Sequence, residues 1–347
     1  MEHIGIDLHK NQSQVCILTE AGELVHLSVR TERERFAAVL GGRAPARILL
    51  EASTESEWVA RCLEELGHEV IVADPNYAPM YAQRTRRVKT NRRDAEALAM
   101  ACRLGAYRPV HRCSDEQRSV RMRLAVREAL VRTRGRYLSL IRARLRQQGW
   151  RVRSGSARAF FSRLQELSLP AALSAEIAPL LVVMAEVNQQ IQATTREISQ
   201  RAEQEETLQR FCTVPAIGSL TATAFQATVD RVERFASAHQ LEAYLGLVPR
   251  EHSSAEKQQR GPITKAGDPR TRSLLVEAAW NILRYQRPET TQLRLWALRL
   301  AARRGKRIAA VALARRLAGI LYALWRDGTP YQPERVGSRQ RRCLVAA

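Results

Sequence analysis

The N-terminal third limits the fold most, because its apolar residues come in short runs of strand character and two of those runs close on a carboxylate. Glu2-His3-Ile4-Gly5-Ile6-Asp7 and Ala46-Arg47-Ile48-Leu49-Leu50-Glu51 have the length and composition of buried strands. Between them, Gln14 to Leu18 and Leu24 to Val29 flank the turn Glu20-Ala21-Gly22-Glu23, which predicts a meander of three antiparallel strands. A helix over Thr31 to Leu40 leads into the Glu51 strand. After it come an amphipathic helix over Glu55 to Leu66 and a strand over Glu69 to Ala73, stopped by Asp74-Pro75. Three meander strands followed by alternating helices and strands predict an α/β domain.

One acid at a strand end is usually structural, since a strand leaving a sheet enters solvent. Here Asp7 and Glu51 end two strands, and Asp94 follows on a helix within Lys89-Thr90-Asn91-Arg92-Arg93-Asp94-Ala95. Strand ends converge on one edge of a sheet, where oxygen ligands can meet around a hard cation and serve phosphate chemistry. The order of elements is that of ribonuclease H, and the acids look like a ribonuclease-H-like, metal-dependent phosphotransfer site.

Charge points to the same substrate class by a separate route. Lys and Arg number 56 against 35 Asp and Glu, a formal charge of +21. A surplus of that size implies a polyanionic partner and salt-dependent binding. Arg dominates over Lys, which suits bidentate phosphate contacts and stacking on unpaired bases. No apolar run is read as reaching membrane-spanning length and no signal pattern precedes the first strand, so a cytoplasmic, bacterial protein without a membrane partner is expected. Cys16, Cys62, Cys102, Cys113, Cys212 and Cys343 form no C-x-x-C pair, which argues against zinc sites and a disulfide framework.

From Ser114 to about Trp150 arginines interleave with leucines, predicting one long helix or a kinked pair, and a second helix is expected from Leu173 to about Gln204. Together they read as an antiparallel coiled coil with nucleic-acid contact through residues such as Arg127 and Arg134. Val214-Pro215-Ala216-Ile217-Gly218-Ser219-Leu220-Thr221-Ala222 resembles a helix-hairpin-helix turn, with Gly218 at the phosphate-facing helix start. An irregular polar stretch from Arg250 to Asp268 follows, carrying Ser253, Ser254, Lys257, Arg260 and Lys265. Helices over Pro269 to Arg284, Pro288 to Ala302 and Lys306 to Trp325 complete a basic half that includes Arg270, and Gly337 to Ala347 reads as a tail.

The motifs taken together resemble the DEDD insertion-sequence transposases, called the one-ten family. They are Gly5-Ile6-Asp7, Leu50-Glu51-Ala52-Ser53, Asp74-Pro75 and the Lys89 to Ala95 run, then Val214-Pro215-Ala216-Ile217-Gly218, Tyr244-Leu245-Gly246-Leu247-Val248-Pro249, Ser253-Ser254 and Ile263-Thr264-Lys265-Ala266-Gly267-Asp268. The resemblance implies an RNA-guided DNA recombinase. It implies a RuvC-like domain over residues 1–110, a helical connector over 111–204 that contributes to assembly and RNA contact, a mainly α, serine-bearing domain over 205–330, and a tail over 331–347.

By the same resemblance, Asp7, Glu51, Asn91 and Asp94 hold Mg²⁺, with Mn²⁺ as a substitute, and Ser254 attacks the scissile DNA phosphate to leave a phosphoserine link, with Ser253 as its alternate. Serine is a poor nucleophile unless activated, and no acid cluster adjoins Ser254 in sequence. A composite site and hence a homo-oligomer, dimer or tetramer, are therefore expected, with donor and target DNA and a structured (bridge) RNA as partners. Arg92, Arg93, Lys257, Arg260, Lys265 and Arg270 are the further candidate nucleic-acid contacts. Two departures stand out. Asn91 occupies the place of the third family acid, three residues before Asp94, and Ala255 the place of a usual Gly, which stiffens that loop. Two rival readings share the fold: a RuvC-like nuclease that uses metal-activated water and no serine, and a catalytically inactive nucleic-acid-binding copy.

Overall fold

The computed structural model describes residues 1–81, 90–251 and 260–333, with the side chain of residue 260 left aside. The chain divides into two compact units, Met1–Cys113 and Ser114–Ala347.

In the first unit β1 (His3–Asp7), β2 (Gln12–Leu18) and β3 (Leu24–Arg30) form the meander, followed by α1 (Arg33–Leu40), β4 (Arg47–Glu51), α2 (Ser56–Glu65), β5 (Glu69–Ala73) and α3 (Asn91–Leu104). The five-stranded sheet has the order β3-β2-β1-β4-β5. Its first three strands pair antiparallel, while β1–β4 and β4–β5 pair parallel. This mixed α/β topology is compatible with a ribonuclease-H-like domain.

Alternation along the strands decides which helix covers which face. Ile4, Ile6, Ile48 and Leu50 point to one side and are buried with Phe36 and Leu40 of α1 and Val59 and Leu63 of α2. Gly5 and Leu49 point to the other side, where Leu49 packs with Leu98 and Cys102 of α3. Cys16, opposite Gly5 in the ladder, packs there with Ala95 and Ala99. Small residues on both surfaces let α3 settle closely on β1. A Cβ at Gly5 would collide with the Ala95 carbonyl oxygen and the Ala99 amide nitrogen, both backbone atoms that have no rotamer by which to yield. Gly5→Ala is therefore expected to cost about 3 kcal/mol, at the upper end of overpacking effects, read as a lowered urea midpoint of the full chain. A change within about 0.5 kcal/mol would show that this contact does not carry the packing.

The second unit is helical. Its α4 (Asp115–Gln147) runs unbroken through Gly135, so the long helix is one piece. Ser114 caps its first turn by accepting from the Gln117 amide, Asp115 and Glu116 stand in that turn, and Arg144 and Arg146 stand in the last, each on the end of the helix dipole that favours it. After α5 (Phe160–Gln165), α6 (Ala171–Gln204) returns along α4. Arg134 reaches Asn188 and Arg127 reaches Thr195, a constant register that fixes the pair as antiparallel. The layers meet in Ile141, Leu145, Phe160, Leu173, Ile177 and Met184 at one end, and in Val120, Leu124 and Ile198 at the other.

The rest of the unit comprises α7 (Glu206–Cys212), α8 (Ser219–Val229), α9 (Ala238–Tyr244), the hairpin β6 (Pro249–Glu251) and β7 (Arg260–Ile263), then α10 (Pro269–Arg284), α11 (Thr291–Arg304) and α12 (Lys306–Asp327). Of these, α8 is buried from Thr221 to Val229 and forms the centre of a core shared with α10 and α12.

The expectation that no segment reaches spanning length is corrected here. By length and composition alone, α6 and α12 are both long and apolar enough to cross a bilayer. In α6 only 22% of the apolar stretch is buried, with Leu173, Ile177 and Met184 packed beside α4 and α5, whereas half of the apolar stretch of α12 is inside the core.

Candidate functional site

In the first unit the β1–β4 ladder runs His3 with Arg47, Ile4 with Ile48, Gly5 with Leu49 and Ile6 with Leu50. One step further along the same parallel register stand Asp7 and Glu51, the last residues of their strands. Neighbouring strands lie about 4.8 Å apart, so the two acids leave the sheet side by side. Both continue the odd-numbered face of Gly5 and Leu49, which is the face that α3 covers.

Two contacts fix the direction of α3. Its Ala95 lies on Gly5, and the Cys102 thiol donates to the Arg47 carbonyl oxygen at 3.4 Å. The helix therefore runs against β1 and β4, with its N-terminal turn at the end of the sheet where Asp7 and Glu51 emerge. Thr90 caps that turn by accepting from the Arg93 amide at 3.3 Å. Asp94, the residue before Ala95, is only 5 % exposed, whereas Asn91, Arg92 and Arg93 are exposed. Asp7, Glu51 and Asp94 thus share one edge of the fold, and Asn91 opens the helix that brings Asp94 there.

His9 extends this edge and is a residue that sequence reasoning missed: its Nε2 stands 3.2 Å from the Asp7 carboxylate. The signal was present in its position two residues past a strand-terminal acid. Asp74, by contrast, is committed to a turn, accepting from the Asn76 backbone amide at 2.9 Å and from the Asn76 side chain at 3.1 Å, the backbone bond first among the causes that hold its carboxyl below the usual range. The same edge influences β2 and β3. Burial holds His26 below the usual histidine range, with the Arg92 cation acting the same way, and burial pushes the Cys16 thiol up to about 12.

Carboxylate and carboxamide oxygens are the donors a hard divalent ion takes, so Asp7, Glu51, Asn91 and Asp94 fit such an ion in the chemistry of their side chains. Among the described residues no group of three His, Cys, Asp or Glu side chains is gathered closely enough to hold an ion as it stands.

In the second unit, Ser253, Ser254 and Lys257 lie outside the described residues, as does Ala255. What surrounds them is well defined. Pro249 pairs with Ile263 and Glu251 with Arg260, so β6 and β7 hold both ends of residues 252–259. The segments at the base of that hairpin interlock through two glycines of positive φ: a Cβ at Gly246 would strike the Ala266 backbone, and one at Gly267 the Tyr244 carbonyl oxygen. Arg272 of α10 fastens the junction, donating to the carbonyl oxygens of Leu245 at 3.1 Å and Ala266 at 2.7 Å. Lys265 is exposed at φ 58° in the same turn, its amide donating to the Gly246 carbonyl. The hairpin was not predicted, because β6 and β7 are too short and polar to show a period of two.

The basic residues of this unit fall into two groups. Arg121 donates to the carbonyls of Ala227 and Thr228, filling places left open at the end of α8, and Arg270 donates to Glu128 at 2.5 Å. Their charge is used within the fold. Arg127 and Arg134 instead face a cavity together with Arg158, and no Asp or Glu is among its lining residues. Burial is the leading cause that holds Arg127 and Arg134 below the usual arginine range, and the neighbouring cations add to it. Gly218 is exposed and stands as the N-cap of α8, directly after a turn in which Ala216 has φ 70°.

An acid-edged mixed sheet and a strongly basic helical unit are the equipment of a nucleic-acid-processing enzyme. Residues 4–148 match the model of the DEDD transposases, and residues 208–294 match the model described as the transposase IS116/IS110/IS902 family. The chain is 31% identical over 340 residues to a probable family 20 transposase of Pseudomonas aeruginosa, covering 96% of this chain and 99% of that protein. It is 29% identical to the transposase for insertion sequence element IS1111A of Coxiella burnetii, covering 92% and 88% of the two chains. Against the transposase for insertion sequence element IS1328 of Yersinia enterocolitica the identity is 28%, with 94% and 98% covered. The chain belongs to the DEDD transposases of the IS110 family.

Proposed function

We propose that this transposase exchanges DNA strands for an insertion sequence under the guidance of a structured RNA, with Ser254 as covalent nucleophile and the edge of Asp7, Glu51, Asn91 and Asp94 as its metal-binding side. The observation that carries the reading is the placement of Asp7, Glu51 and Asp94 at one end of the sheet, on the face closed by α3. A divalent ion there would polarise the scissile phosphate and offset the charge that builds up on it. The chain's own contribution is to hold the carboxylates on rigid strand and helix ends, so that little reorganisation is needed when a phosphate arrives.

At the serine, the Oγ–P bond forms as the bond from phosphorus to one bridging sugar oxygen breaks. The hydroxyl proton passes to a base or to water and the leaving sugar oxygen takes one up. The phosphoserine link keeps the energy of the phosphodiester, so rejoining to a different strand needs no external energy source. Interlocked backbone at Gly246 and Gly267 supports this assignment, because it steadies both ends of the serine segment without occupying the segment itself. The surplus charge of +21 supports polyanion binding in general, and RNA guidance rests on the family membership.

Sequencing RNA that copurifies with the full-length protein tests the guided reading. One enriched structured RNA with defined ends is the expected result. Random cellular RNA, held only by charge and released by moderate salt, would defeat it.

A further inference from the structure

The cavity of about 570 Å³ bounded by α4, α6 and the turn before α5 has a composition that neither the acid edge nor the serine segment requires. Arg127, Arg134 and Arg158 line it, Asn188 and Gln192 add amides, and Phe161 adds an aromatic wall. Two of the arginines are aimed by their neighbours: Arg127 Nε donates to Thr195 Oγ1 at 2.9 Å, and Arg134 donates to Asn188 Oδ1 at 3.3 Å. These bonds orient the guanidinium groups and leave further N–H donors on each, since a guanidinium carries five. Three cations around one cavity with no acid on its walls repel one another. Such a cluster is costly by itself and favourable around an anion. The volume is also more than an ion needs, within the roughly 300–1,000 Å³ that accommodates a whole small molecule.

A second cavity of about 570 Å³ repeats the pattern at the end of α4. Arg142, Arg146 and Arg151 line it with Ser139 and Ser154, again without an acid. Arg142 Nε is buried there with no hydrogen-bond partner among the described residues, and its guanidinium lies 5.5 Å from the Phe160 ring centroid. Arg134 and Arg142 are eight residues apart on one helix, so the two cavities follow each other at roughly 12 Å along the axis. Two successive acid-free arginine pockets along one helix match the repeat of a polymer better than they match a free nucleotide.

We infer that the α4–α6 hairpin is a track for an unpaired polynucleotide strand, in which the Arg127–Arg134–Arg158 cavity takes one whole nucleotide, phosphate on the arginines and base toward Phe161, and the Arg142–Arg146–Arg151 cavity takes a later phosphate of the same strand. Stacking on aromatic side chains combined with a basic groove is the general means by which proteins hold single strands. The inference deepens the reading of this chain as a nucleic-acid transposase and rests on it for the presence of such a strand.

The test uses the full-length protein and a short labelled oligouridylate, with uridine monophosphate as competitor. Arg134→Gln with Arg158→Gln is expected to weaken oligouridylate binding about tenfold or more and to lower the slope of log affinity against log salt by roughly 0.7, the share of the one phosphate that this cavity no longer neutralises. Phe161→Leu should weaken binding with the slope unchanged, and Arg134→Lys should restore the slope but only part of the affinity, because charge returns without the fork. Arg123→Gln, an exposed arginine of α4 outside both cavities, controls for bulk charge and should change affinity less than about twofold. Melting temperatures within the wild-type range exclude misfolding. Unchanged affinity and slope in the double variant would overturn the proposal, as would uridine monophosphate competing on equal terms with the oligonucleotide. Covalent DNA linkage is scored on the same variants made in an Asn91→Asp background. A variant that loses strand binding in a protein forming no DNA link would refute the proposed chemistry and leave the track standing, while intact strand binding with a DNA link would refute only the track.

Discussion

In an Asn91→Asp background, replacing Ser254 by alanine is expected to abolish the covalent protein–DNA species while leaving RNA affinity nearly unchanged. The first half follows from chemistry: without Oγ no ester to phosphorus can form at that position. The second half follows from magnitude. A neutral hydroxyl contributes on the order of 1 kcal/mol to any contact, a small part of an affinity dominated by counterion release from many phosphates. Denaturing gels of protein with labelled DNA ends separate the outcomes. An equal yield of adduct from the alanine variant would transfer the role to Ser253 or remove the covalent step, and cleavage without adduct in the parent would favour the nuclease that uses water.

The second large effect concerns Asn91 itself. As the first residue of α3 it is exposed, and Thr90 rather than Asn91 caps the helix, so an aspartate there disturbs no packing and gains a little from the helix dipole, about 0.3–1 kcal/mol. Opposite a divalent ion the same change restores a full negative charge, and Mg²⁺ depends on such charge because it surrenders its waters reluctantly. Asn91→Asp is therefore expected to raise strand cleavage tenfold or more at millimolar Mg²⁺, roughly 1.4 kcal/mol in the barrier. Nucleic-acid affinity should barely move, since one charge is small beside the surplus of +21. Cleavage rates that stay level through Mg²⁺ and Mn²⁺ titrations would mean that Asn91 is not a ligand position.

The meander and the acid-terminated strands were legible in the sequence because their signals are local. Alternation, a Gly-containing turn and an acid after an apolar run each occupy a few residues, and the observed β1, β2, β3, β4 and β5 lie where those signals stand. The helices α4 and α6 were legible for the same reason, through composition sustained over many turns. What joins distant residues was not. That α3 runs against β1, turning Asp94 toward Asp7 and Glu51, depends on Gly5 meeting Ala95 and Ala99, which no periodicity encodes. Arg158 beside Arg127 and Arg134 is a product of chain reversal. Arg270 and Arg121 looked from sequence like more of the same basic surface, and only their partners, Glu128 and the end of α8, show that their charge is used within the fold.

The interlock of Gly246 with Ala266 and of Gly267 with Tyr244 makes residues 252–259 a cassette. Its mount consists of the pairing of β6 with β7 and of the Arg272 guanidinium on two carbonyl oxygens, contacts made by residues outside 252–259. A segment mounted from outside itself can exchange one nucleophile or one substrate preference for another while the mount stays constant. An engineer has the same freedom: a Gly/Ser insert of equal length in place of 252–259 should melt with the parent protein and differ from it only in chemistry.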